Sequence, residues 1–188
     1  SKTVLAAAEA IDTDGDGVFD DRDDYPNDPD RARDVYFPSK STYNSLLFED
    51  RWPDLGDYDF NDIVVDYRYK ATLSSNSMIR ELEGSFVLRA TGAGYPNGFA
   101  VNLPVPASAI ASITGQSNHL GNVFSIDENG VEESGQNSVI PIFDNAHKEF
   151  DVQNNSSKIV NTTSAGAEKS SLEYQVVIVF DGNVPYNE

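Results

Sequence analysis

Two short acidic runs carry most of the groups in this chain that could do chemistry, and that chemistry is the binding of a hard cation. Residues 12–23 read DTDGDGVFDDRD. With Asp12 at position 1 of a twelve-residue loop, Asp14 falls at 3, Asp16 at 5, Val18 at 7, Asp20 at 9 and Asp23 at 12, with Gly17 at 6. Calcium takes six to eight oxygen ligands. This spacing brings alternate carboxylates, the Val18 backbone carbonyl and a closing carboxylate to one point, while glycine permits the sharp turn. The second run, FEDRWPDLGDYDFNDIVVDY, starts at Phe48. There Glu49, Asp50, Asp57, Asp59 and Asp62 surround a Pro-Asp-Leu-Gly turn, and Asn61 adds a neutral oxygen. Carboxylates so close together repel unless a counter-ion sits among them, so calcium held by Asp57, Asp59 and Asp62 with Glu49 or Asp50 is one reading. The other is a polar turn whose Asp and Asn side chains cap their own backbone. Trp52 and Tyr58 either cap the core there or flank a binding face.

The charge distribution favours cations as partners. Of a net charge of −18, residues 12–30 contribute −8 and residues 49–66 contribute −6, so two segments hold −14 of it. With a pI near 4.2, nucleic acid and anionic lipid would be repelled rather than concentrated. The chain has no cysteine, which excludes disulfides, thiolate metal sites and cysteine nucleophiles. Millimolar calcium outside cells would fill weak carboxylate sites, so an extracellular or bacterial cell-surface location is expected. No stretch approaches the roughly 18 to 20 apolar residues of a membrane span. The N-terminal SKTVLAAAEA lacks the regions of an intact signal peptide and reads as a mature or trimmed start; Thr3 to Ala10 fits two turns of helix, a strand or a frayed end.

The elements that must position these groups are strands. In FNDIVVDYRYK, Ile63, Val65, Tyr67 and Tyr69 alternate with Val64, Asp66, Arg68 and Lys70, the period of a half-buried strand. Leu82, Phe86, Leu88 and Ala90 repeat the pattern, with a bulge expected at Gly84, and so do Leu172, Tyr174, Val176, Ile178 and Phe180. Shorter strands are predicted at Tyr43 to Phe48, Phe99 to Leu103, Asn122 to Ile126 and Val139 to Phe143, and a helical turn within Pro106 to Thr114. Asn154 to Ser171 reads as a loop free to move. The expected fold is all-β: an antiparallel sandwich of jelly-roll type over residues 34–188, preceded by a calcium-loop segment over 1–33. Neither histidine, His119 nor His147, has catalytic spacing, and both read as surface residues. No nucleophile elbow or phosphate loop is present, so a non-enzyme is expected.

Two resemblances extend this reading. Residues 12–30, with Asp23 where an EF-hand has glutamate and no flanking helix pair, resemble a thrombospondin type 3 repeat, which implies a stiffened calcium connector. The run FEDRWPDLGDYDFNDIVVDY, with GFAVNLPVPASAIASITG from Gly98 to Gly115, resembles the LruC domain of bacterial secreted and surface-anchored proteins, from about Val35 to the C-terminus. The D-x-D-F-N-D core, Asp57 to Asp62, is also similar to a motif of large calcium-dependent bacterial adhesins. These resemblances imply a surface or adhesion module with calcium at Glu49, Asp50, Asp57, Asp59, Asn61 and Asp62. The alternative is a carbohydrate- or peptide-binding domain whose ligand completes that calcium shell.

Overall fold

The computed structural model of the chain describes residues 10–49, 51, 53–118, 123–132 and 137–186. Residues 3–9 of the N-terminal segment, Asp50, Trp52, His119 and Asn122 lie outside them. The three alternating runs form the three long strands, β3 (Ile63–Leu73), β4 (Met78–Ala90) and β8 (Leu172–Pro185). Around them lie β1 (Arg33–Phe37), β2 (Asn44–Phe48), β5 (Phe99–Leu103), β6 (Ile110–Thr114) and β7 (Ser138–Phe143). One antiparallel sheet has the order β1-β3-β4-β8-β6, and β5 pairs with β7 in a second, two-stranded sheet. Along β3, the edge opposite β4 is shared end to end: β1 takes Tyr69 to Leu73 and β2 takes Ile63 to Tyr67. Pro38, which has no N–H to give a ladder, stands in the connection between them.

Alternation decides what the large sheet buries. Ile63 and Val65, Phe86 and Leu88, and Tyr174, Val176 and Ile178 face inward and pack with Phe99, Ile140, Ile142 and Phe143 of the small sheet. Aromatic rings knit the two layers: Tyr69 to Phe86 at 5.7 Å, Phe86 to Phe99 at 5.8 Å, Phe99 to Phe143 at 5.9 Å and Phe143 to Tyr174 at 5.4 Å between centroids. These separations suit tilted and edge-to-face contact. The protein is therefore an all-β antiparallel sandwich, as its alternation predicts.

Several local expectations are corrected. Gly84 is no bulge: it pairs in regular register with Tyr69 and Val176. A Cβ at Gly84 would lie 2.5 Å from the Phe86 ring, so glycine leaves that ring its place. The helical turn within Pro106 to Thr114 is confined to a 3-10 turn at Ala107–Ala109, after which Ile110–Thr114 pairs with β8. No strand forms at 123–126, where Ile126 makes a single bridge to Glu132. A short helix, α1 (Ala146–Glu149), is capped by the Asn145 side chain. The Asn154 to Ser171 stretch is a loop, but an anchored one. Val160 is fully buried and exchanges backbone hydrogen bonds with Thr91 at 2.7 and 3.2 Å. The Asn161 amide donates to the carbonyls of Arg89 and Lys169, each at 2.8 Å.

Candidate metal centres

In the first loop the carboxylates serve the chain's own hydrogen bonds, Asp12 and Asp20 through both oxygens and Asp14, Asp16 and Asp23 through one. Asp12 accepts from Gly15 N at 2.8 Å and Gly17 N at 3.1 Å, Asp14 from Asp16 N at 3.2 Å, and Asp16 from Val18 N at 2.7 Å. Gly15 and Gly17 have φ of 80° and 96°, the left-handed region that glycine enters without steric cost. Asp20 fastens the far side, accepting from Thr13 N at 2.8 Å and Thr13 Oγ1 at 2.7 Å. Asp23 Oδ1 accepts from Tyr25 N at 2.7 Å.

The remaining oxygens are the informative ones. Oδ2 of Asp14, of Asp16 and of Asp23 are all buried with no hydrogen-bond partner. Oxygens of Asp12, Asp14 and Asp16 lie within 4.8 Å of one another. Asp23 is 9% exposed; burial, then the charges of Asp16, Asp14 and Asp20, push its carboxyl above the usual range. Two carboxylates at that spacing repel by about 1 to 3.5 kcal/mol, for dielectrics between water and a protein surface. A buried, unsatisfied oxygen adds a desolvation cost. One cation among these oxygens answers both, and an all-oxygen donor set of this kind suits calcium. Val18, whose carbonyl the spacing nominates, is tied to the loop by its N–H, which donates to Asp16 Oδ1.

The second cluster sits where β2 ends and β3 begins. Glu49, Asp57 and Asp59 each bring an oxygen within 4.8 Å of the others. Asp62 is 7% exposed; its N–H donates to Phe48 O at 3.1 Å, and its carbonyl accepts from Thr91 Oγ1 at 3.1 Å. Burial raises the Glu49 carboxyl, as do its hydrogen bond with Asp62 and the charges of Asp62 and Asp57, against an opposing Phe60 N–H. Glu49 Oε2 is buried and unpartnered. Tyr58 and Phe60 are held at φ of 56° and 54°, a backbone state that costs about 1–3 kcal/mol for a bulky residue and has to be offset by its surroundings. Asn61 differs from expectation: its side-chain nitrogen meets Asp59, and its oxygen lies over Gly92.

Beside this cluster a cleft of about 320 Å³ opens between the sheets, lined by Phe48, Asp62, Ile63, Asn97, Gly98 and Phe99. Among the described residues no other group of three or more acidic or imidazole side chains converges as these two do. His147 is not a surface residue. It is 1% exposed, and its Nε2–H donates to Ala93 O at 3.0 Å. Sequence reasoning also missed a half-buried trio in which Ser117 Oγ (2.7 Å) and Tyr174 OH (2.8 Å) both donate to Glu149; no spacing in the chain signals it, because the three residues come from separate segments.

The fold and these sites define an antiparallel β-sandwich with two carboxylate-rich loops. The chain belongs to the family described as a domain of unknown function (DUF4842), whose model matches residues 77–188. That match spans β4 to β8 and leaves both acidic loops outside it. No curated protein and no solved structure matches the chain.

Proposed function

We propose that this protein is a non-catalytic, calcium-binding surface or adhesion module of an extracellular bacterial protein. The observation that carries the reading is the set of buried, unpartnered Oδ2 atoms of Asp14, Asp16 and Asp23, in residues whose other oxygen already holds the backbone. Such a division leaves one oxygen for the loop and one for an ion. The Glu49, Asp57 and Asp59 grouping supports a second calcium. The resemblance of the Phe48 to Tyr67 run to the LruC family supports the surface location, and that of residues 12–30 to thrombospondin type 3 repeats supports calcium over other cations. No helix among the described residues is long and apolar enough to cross a membrane.

Calcium works here by cross-bridging carboxylates. Because it binds the folded state, it raises stability by mass action. Calorimetric titration of the EDTA-treated protein tests the reading: two sites are expected, one lost in Asp14→Asn and the other in Asp59→Asn. Absence of calcium heat in the wild type would remove it.

The cleft beside Asp62 favours a second reading, in which the ion at Asp57 to Asp62 holds a glycan or peptide. It has an exposed aromatic edge at Phe48, an amide at Asn97 and a buried carboxylate, the mix of apolar wall and few polar groups typical of ligand sites. Glycan and peptide arrays probed in calcium and in EDTA decide it: binding that vanishes with EDTA and in Asp59→Asn supports a ligand site, and calcium-independent binding opposes it.

A further inference from the structure

We propose that the N-terminal loop is a cation-operated clasp on the edge of the large sheet, with Tyr25 as the residue that transmits binding to β1 and β3. The inference rests on the reading of residues 12–23 as a calcium site and concerns what that site regulates.

Asp23 is the starting point. Its buried Oδ2 has no partner and faces the charges of Asp14, Asp16 and Asp20, while its Oδ1 accepts from Tyr25 N at 2.7 Å. Tyr25 in turn reaches the sheet. Its hydroxyl donates to Asp34 Oδ1 at 2.7 Å, and the same oxygen accepts from Thr72 Oγ1 of β3 at 2.8 Å. Thr72 is 1% exposed, and Asp34 and Tyr25 are half-buried against it. Arg31 lies over the Tyr25 ring at 4.9 Å and is tied to Asp28 at 2.6 Å.

The backbone follows the same route. Asp24 N donates to Ala32 O at 2.8 Å, Asp34 N to Asp24 Oδ2 at 2.8 Å, and Ala32 N to Leu73 O at 2.7 Å. The last of these continues the β1–β3 ladder by one residue beyond Arg33↔Leu73. β1 pairs with β3 alone, over five residues, so in the large sheet it has a single ladder to hold it. From the Asp23 carboxylate to the β3 hydroxyl the path runs through one backbone N–H, one rigid phenol ring and one carboxylate. It contains no long rotatable side chain that could absorb a displacement.

Without a cation, the four like charges oppose the turn that sets Tyr25 in place. With one, the same charges hold that turn. Free energy of binding is then expressed partly as stability of the β1 edge, and by linkage the edge contributes to cation affinity by the same factor.

The test is amide hydrogen exchange on the full chain in a D59N background, which silences the second cluster, with calcium or EDTA, paired with calorimetry. Calcium is expected to slow exchange at Ala32 and along β1 about tenfold, within the usual range of coupling. In Tyr25→Phe, which keeps the ring and loses the hydroxyl, that slowing should fall below about twofold, with calcium affinity weakened by a similar factor. Unchanged protection of β4 and β8 in the variant certifies the fold. If calcium binds with measurable heat but β1 exchange does not respond, or responds equally in Tyr25→Phe, the clasp is overturned and the calcium site stands. If no heat is seen, the calcium site fails and the clasp with it.

Discussion

Asp23 divides its two oxygens between the chain and the interior of the loop, and this makes its charge the sensitive quantity. Asparagine there keeps an oxygen for Tyr25 N–H but removes one of the negative charges that crowd the loop. In EDTA, Asp23→Asn should therefore melt at or above the wild-type temperature. In calcium it should melt lower, with affinity reduced at least about tenfold, equivalent to about 1.4 kcal/mol. Thermal melts in both conditions check this, and a variant destabilised equally in EDTA would contradict it. His147 gives a pH prediction. Burial pulls its pKa below 6.5, so the folded state holds it neutral where the unfolded chain would take a proton. Its contribution is complete above 6.5 and is lost as pH falls through the interval down to the folded value. His147→Gln, which keeps a donor for Ala93 O, should flatten that part of the stability–pH curve, measured as urea midpoints from about pH 7 to about pH 5.

At the scale of elements, glycines mark where one strand or loop must touch another. A Cβ at Gly92 would fall 1.8 Å from Asn61 Oδ1 and 3.0 Å from the Asn61 backbone oxygen. Gly92→Ala should push the Asp57 to Asp62 loop away from the segment that follows β4, weakening the proposed second calcium site and not the first, and costing about 1–3 kcal/mol. Titration calorimetry resolves the two sites, and equal weakening of both would show general unfolding instead. Gly115 has φ +87°, and a Cβ there would lie 1.9 Å from Gln175 O. Backbone cannot yield as a side chain can, so Gly115→Ala should be the more damaging, loosening β6 from β8 as read by exchange at Val177 and Ile178. These contacts explain which elements sequence reasoning misjudged. Ile110 to Thr114 is too short and mixed to declare a period, and becomes a strand because β8 offers it a ladder. Gly84 looks like a bulge only until the Phe86 ring is seen to occupy its space.

Across the whole molecule, electrostatic repulsion is concentrated where calcium would act, since two segments hold −14 of the −18. Removing calcium should lower the melting temperature more in low salt than at about 1 M, where the Debye length shrinks to about 3 Å. Scans with EDTA at both ionic strengths test this. The sequence by itself determined the all-β class and the two acidic loops, because alternation, the Asp-x-Asp-x-Asp-Gly spacing of the first loop and the crowding of carboxylates in the second are local signals that a short window contains in full. Only the tertiary structure decided that β1 and β2 share one edge of β3, that Tyr25 ties the first loop to Thr72, that Asn61 presents its nitrogen to Asp59, and that His147 is buried. The Asn61 contact lies two residues away and depends on the backbone of the turn; the others depend on which distant residue arrives opposite, and that is set by packing rather than by any neighbour in the chain.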